Sequence, residues 1–269
     1  MKDALGEALS DYFHKTSTAK LWVNNKYGPR EEMPVDVYFR DAEDMPELEW
    51  IALQQCRGAV LDIGAGAGSH ALALQQMGLD ITALDFSPKA AAIMKLRGVK
   101  KILCQDFFEL NTGPSDPGFH ETKSSTTEAN APGSQETNLS KTGLPASAPP
   151  AAKTFDTLLL LMNGIGIAGT LNGLRTFLAK AKGLLRPGGQ LIFDSSDVAY
   201  MYDGEIPPMP DYYGEILYQY EYRKQRSDWF KWLFIDRKTL SRVALSEGWH
   251  VEVLFGDEWE QYLVKCRPA

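Results

Sequence analysis

The stretch Val60–Leu72, VLDIGAGAGSHAL, decides the fold. Residues 59–63, AVLDI, form the apolar run of a strand buried on both faces, which breaks at a glycine-rich turn and restarts as a helix. Gly64, Gly66 and Gly68 predict a backbone that turns with positive φ and approaches a ligand with no Cβ in the way. Ser69 reads as the cap of the following helix, with Ala71, Leu72 and Leu74 facing the sheet. Asp62 then lies near the carboxyl end of its strand, the edge at which open α/β sheets bind ligands.

The glycine spacing selects among cofactors. A dinucleotide fingerprint, GxGxxG, needs a third glycine at position 69, and that residue is serine. Asp62-Ile63-Gly64-Ala65-Gly66-Ala67-Gly68 instead resembles the first motif of the class I S-adenosylmethionine-dependent methyltransferases, (D/E)xGxGxG, at every fixed position. The resemblance implies S-adenosylmethionine as cofactor and S-adenosylhomocysteine as product, held against Asp62, Gly64, Ala65, Gly66 and Gly68.

Three further segments follow in the family's order. DITALD, residues 80–85, is a second strand, and its terminal Asp85 stands where an acid meets ribose hydroxyls in a doubly wound fold; a solvated strand-end aspartate is the competing reading. Phe86 can lie against an adenine face, and Ser87-Pro88 opens a helix with serine as cap and proline in its first turn. The family's ribose and adenine site is such a segment, which implies roles for Asp85, Phe86 and Ser87. After the strand KKILC, the resemblance implies that Asp106 meets the adenine amino group and that Phe107 packs the ring. FDTLLLLMNG is a fourth strand that reaches Asn163 and Gly164, where an asparagine offers a donor and an acceptor at the ligand edge, or else forms an ordinary Asn-Gly turn. LLRPGGQLIFDSSD supplies a helix stop and a fifth strand, and the carboxyl-terminal segment reads as helix, strand, tight turn and last strand. The expected fold is α/β: a doubly wound, Rossmann-like, seven-stranded and mostly parallel sheet with an antiparallel last strand, an amino-terminal helical lid and an added β hairpin.

The expected organisation is a lid or substrate cap over residues 1–57 and a methyltransferase domain over 58–269, interrupted by a 112–153 insertion and by a hairpin at 211–236. The insertion is rich in Ser, Thr, Pro and Gly, almost free of large apolar residues, and reads as disordered. In the leading segment, Asp44 and Pro46 are expected to open a helix, and Arg40 could reach a cofactor carboxylate or pair with Asp41 or Glu43. The hairpin runs from about Gly214 to Tyr222 and from Trp229 to Ile235, with Ile216, Tyr218, Tyr220 and Tyr222 on one face. Tyr38, Tyr212, Tyr213, Trp229 and Trp232 are candidate substrate contacts, although a tyrosine ladder is commonly sheet packing.

Methyl transfer from a sulfonium needs alignment more than acid assistance, so no catalytic residue is dictated. If the acceptor must lose a proton, His70, Asn163, Asp194 and Asp197 lie near strand ends, where such a group would act. A formal net charge of −7, from 28 basic against 35 acidic residues, disfavours a polyanionic partner and favours a small-molecule acceptor over nucleic acid. No apolar run is long enough to span a membrane, the amino terminus lacks the apolar stretch of a signal peptide, and the cysteines, Cys56, Cys104 and Cys266, have no metal-ligand spacing. A cytoplasmic enzyme without a metal is therefore expected. A nicotinamide-dependent oxidoreductase and a non-catalytic S-adenosylmethionine-binding protein are the alternatives. The sequence leaves the acceptor and the oligomeric state open.

Overall fold

A computed structural model describes residues 2–110, 154–202 and 211–269. The expected insertion at 112–153 lies outside the described residues. The chain opens with helix α1 (Ala4–His14), capped by Asp3, whose carboxylate accepts the Gly6 N–H at 2.7 Å. Strands β1 (Leu21–Asn25) and β2 (Glu31–Met33) follow, then helix α2 (Glu47–Gln55). The leading segment is thus not a purely helical lid, because residues 21–33 form an antiparallel pair. Nor does Asp44 cap α2: it closes a short 3-10 turn, and the helix begins after Pro46 with no side-chain cap.

The central unit alternates strand and helix: β3 (Ala59–Ile63), α3 (Ser69–Gln76), β4 (Asp80–Asp85), α4 (Pro88–Arg97), β5 (Ile102–Cys104), β6 (Phe155–Leu160), α5 (Leu171–Leu184) and β7 (Leu185–Ser196). Beyond β7 come β8 (Glu215–Tyr222), the two-residue β9 (Gln225–Arg226), β10 (Phe230–Leu233), α6 (Arg237–Ser246), β11 (Trp249–Gly256) and β12 (Gln261–Pro268). One sheet has seven strands in the order β11-β12-β7-β6-β3-β4-β5. Strands β3 to β7 pair in parallel, and β12 runs antiparallel to both neighbours, as the sequence predicts. Alternate residues of each strand feed two cores. Leu61 and Ile63 pack with α5 and α6 side chains such as Phe177 and Leu240, while Val60 packs with Leu53 of α2 and Leu74 of α3 on the other face. Helices on both faces leave only the strand ends free to meet a ligand.

The second sheet is composite. Its order is β10-β8-β1-β2, so the expected hairpin does not stand alone: β8 is paired on one side by β10 and on the other by β1. Directly opposed residues share a face, so Met33, Leu21 and Tyr222 form one row, Glu31, Val23 and Tyr220 the next, and Asn25, Tyr218 and Phe230 a third, with Trp232 opposite Ile216. Leu21, Tyr222 and Ile216 are buried, which makes this the inner face. Helix α1 packs on its Leu21 end through Ala4 and Ala8, and on α4 through Leu9, which meets Ala90 and Ile93.

Candidate active site

The glycine turn after β3 is built as its sequence demands. Gly64, Gly66 and Gly68 take φ of +76°, +56° and +84°, the left-handed region that favours glycine. The N–H groups of Gly64 and Ala65 both donate to the Leu84 carbonyl, which fastens the turn to β4. A Cβ added at Gly64 would meet nothing within 4 Å, so the turn borders open space there, whereas at Gly66 it would lie 3.1 Å from the Tyr38 ring. Gly68, not Ser69, is the residue that precedes α3; the Ser69 hydroxyl donates to the Tyr38 carbonyl at 2.9 Å and is engaged outside the helix.

Asp85 closes β4 beside this turn. Its two carboxylate oxygens accept the Gly66 N–H at 2.9 Å and the Ser87 N–H at 2.8 Å. Burial pushes its pKa up to about 6 despite those bonds. Ser87 caps α4 by accepting from Ala90 N–H, and its hydroxyl donates to Asp3 at 2.5 Å, tying α1 to the segment. Phe86 is 58% exposed, a large apolar face presented to solvent next to Asp85. Asp106 is exposed and accepts the Phe108 N–H. Phe107 is instead packed in the core, stacked on Phe177 at 4.5 Å and 4% exposed, which leaves almost no surface for an adenine ring.

Asp62 is buried, and its Oδ2 has no hydrogen-bond partner among the described residues. Burial, and then the charge of Asp85, raises its pKa to about 6, with nearby His70 opposing. His70, in the first turn of α3, meets Glu49 of α2 at 2.9 Å, and Glu49 also takes Arg40 at 2.5 Å. Arg40 is therefore paired neither with Asp41 nor with Glu43, and its guanidinium is committed to a buried carboxylate. Burial lowers the His70 pKa, but Glu49 and Asp62 outweigh it and raise the value overall.

At the end of β6, Met162 and Asn163 hold φ of +62° and +55°, a strained pair of non-glycine residues at a ligand edge. Asp194 of β7 holds that turn: both its oxygens lie 2.9 Å from the Asn163 N–H, and Gln261 donates to it at 3.1 Å. The Ser196 hydroxyl donates to Asn163 Oδ1 at 3.0 Å. Burial raises the Asp194 pKa to about 6. Asp197 accepts the Ala199 N–H and the Tyr213 hydroxyl. Gly164 is buried at the start of the next 3-10 turn.

The composite sheet faces these loops. Tyr220 is half-buried on its inner face, and burial, then the charges of Tyr38 and Asp85, raises its hydroxyl pKa well above the ordinary value. The Trp232 indole covers the turn after Asn163 so closely that a Cβ on Gly166 would lie 2.0 Å from its Nε1. Tyr212 and Tyr213 are tied through their hydroxyls to Asp236 and Asp197, and Trp229 is exposed near Lys26. Sequence reading missed Glu49 and Arg97. Arg97 donates to the Ala67 carbonyl at 2.7 Å and to Ser69 Oγ at 3.1 Å, and no local pattern announces a partner 30 residues away.

Parallel strands, a glycine turn and an acid closing the neighbouring strand define a nucleotide-type cofactor fold. A family profile described as "Methyltransferase domain" matches residues 61–115. An S-adenosylmethionine-dependent methyltransferase from Bacteroides fragilis, solved with S-adenosyl-L-homocysteine, is 36% identical with a TM-score of 0.79, covering 100% of this chain and 95% of its own. The CcbJ methyltransferase from Streptomyces caelestis (12% identity, TM-score 0.53, 87% and 95% covered) shares the fold. So does an S-adenosylmethionine-dependent methyltransferase from Clostridium acetobutylicum (11%, 0.52, 84% and 94%). The chain belongs to the class I S-adenosylmethionine-dependent methyltransferases. It is an enzyme that uses S-adenosylmethionine and releases S-adenosylhomocysteine. Among the described residues no helix is long and apolar enough to cross a membrane.

Proposed function

We propose that this methyltransferase acts on a small-molecule acceptor held between the glycine turn and the inner face of the composite sheet. The observation that carries this reading is the covered site: the Tyr38 ring against Gly66, and Trp232 against Gly166 beyond Asn163. A cap laid across the strand ends favours a compact acceptor over a polymer, and the net charge of −7 opposes a polyanion.

The residues present fit the cofactor. Space over Gly64 accepts a ligand, and the unpartnered Asp62 Oδ2, with Asp85 nearby, offers buried negative charge to a cationic one. We assign Asp85 to the ribose hydroxyls, Phe86 to the adenine face, and Asp62 with the Gly64–Gly68 turn to the cationic amino-acid portion. S-adenosylmethionine supplies an electrophilic methyl group on a sulfonium whose departure leaves a neutral thioether. His70, Asp194 and Asp197 are all engaged in bonds that hold loops, so the work assigned to the chain is alignment and the exclusion of water. Near-attack positioning of this kind can account for roughly 7 to 11 kcal/mol of a barrier.

Incubating a metabolite extract with the enzyme and deuterated-methyl S-adenosylmethionine tests the proposal. A labelled product should appear in the dialysable fraction by mass spectrometry. Label found only in protein or nucleic acid would refute a small acceptor.

A further inference from the structure

Arg97, the last residue of α4, has a side chain that the cofactor motifs do not explain. Its Nη1 donates to the Ala67 carbonyl in the glycine turn at 2.7 Å, to Ser69 Oγ at 3.1 Å and to the Tyr38 carbonyl at 3.4 Å. Its Nη2 donates to the Phe39 carbonyl at 3.4 Å, and the guanidinium lies 5.2 Å from the centroid of the Phe39 ring. Phe39 in turn stacks on Tyr12 of α1 at 4.8 Å. One fork of donors therefore spans two segments that nothing in the chain order joins: the turn that cradles the cofactor, and the strap at residues 38–39 that crosses it. The Tyr38 side chain lies on Gly66, and the Ser69 hydroxyl adds a second tie to the Tyr38 carbonyl. A molecule seated against the Gly66 end of the turn therefore lies beside this strap.

We propose that Arg97 is a positioning residue that latches the strap to the glycine turn and so sets the rate at which the adenosyl product leaves. The inference rests on the cofactor reading of that turn. A planar, multidentate guanidinium is required, because an ammonium is a point charge that cannot reach Ala67 and Phe39 together. An arginine at a helix carboxyl terminus also complements the helix dipole, and that structural contribution survives in a lysine.

The test measures binding and release of S-adenosylhomocysteine by the full chain, using calorimetry for affinity and stopped-flow fluorescence for rates. Arg97→Lys and Arg97→Gln should each speed dissociation at least tenfold and leave association within about threefold. In the parent, S-adenosylhomocysteine should slow hydrogen exchange over residues 35–40, and Arg97→Lys should abolish that slowing. Dissociation within twofold of the parent in Arg97→Lys, with the exchange protection intact, overturns the latch. Should Arg97→Gln fail to fold, the lysine variant decides alone, since it keeps the charge at the end of α4. A parent that binds no S-adenosylhomocysteine refutes the cofactor reading before any variant is made, and the latch with it.

Discussion

Asp62, Asp85 and Asp194 each end or nearly end a strand of the parallel sheet, and burial holds each carboxyl near a pKa of about 6. Their roles separate by what they touch. Asp194 and Asp85 accept backbone N–H groups and shape loops, whereas Asp62 keeps an oxygen with no partner among the described residues. A carboxyl whose pKa is raised by folding stabilises the fold fully below its unfolded value of 3.8, and that contribution is lost as pH rises through about 6. Asp62→Asn cannot ionise, so without ligand it should be more stable than the parent at pH 8, by on the order of 3 kcal/mol, and match it near pH 4. Thermal melts at the two pH values check this, and an asparagine variant weaker at pH 8 would show that the carboxylate is satisfied in the free protein. Asp85→Ala should raise the dissociation constant for S-adenosylhomocysteine at least about tenfold, or 1.4 kcal/mol, by calorimetry; unaltered affinity would remove Asp85 from the site.

At the scale of elements, the composite sheet docks on the turn after β6 through Trp232 on Gly166 and the Lys231 carbonyl beside Gly169. Gly166→Ala should force the indole away, costing about 1–3 kcal/mol in urea unfolding and most of the methyl-transfer rate. Adding Trp232→Ala should cost less than the two single changes summed, because the clash is gone; strict additivity in the double-mutant cycle would refute the contact. What the sequence made legible follows the same scale. The β3 turn, the Ser87 cap of α4 and the β8–β10 hairpin are local, so residues within a few positions dictate them. Strand β1 is only five residues long, and its partners in β8 lie 193 or more positions away, so LWVNN carried no readable periodicity of its own. The site divides likewise. Asp85 and the glycines were visible as a motif, but the Arg40–Glu49–His70 chain was not, because Glu49 sits on a helix whose apolar pattern gives no hint that a charge belongs inside. Phe107 packs inward on Phe177, a placement that an aromatic beside a strand end takes as readily as an outward one.

For the molecule as a whole, cap and sheet should respond to ligand together. With S-adenosylhomocysteine at 100 times its dissociation constant, linkage gives about 2.7 kcal/mol, which for a chain of this size raises the melting temperature by about 5 to 10 °C. Deleting residues 1–33 removes α1, β1 and β2, and with them the Asp3 contact to Ser87. That truncation should lose most of the shift in differential scanning fluorimetry, and a full shift would show that the leading segment is dispensable for cofactor binding. The pairing of β1 with β8 also orders events on the ribosome. Leu21 and Val23 emerge well before their partners Tyr222 and Tyr220, which follow 197 or more positions later. At the usual pace of translation β1 waits roughly ten to forty seconds for them. The glycine turn can therefore take shape while the protein is still being synthesised, and the composite sheet closes only once β8 has been made.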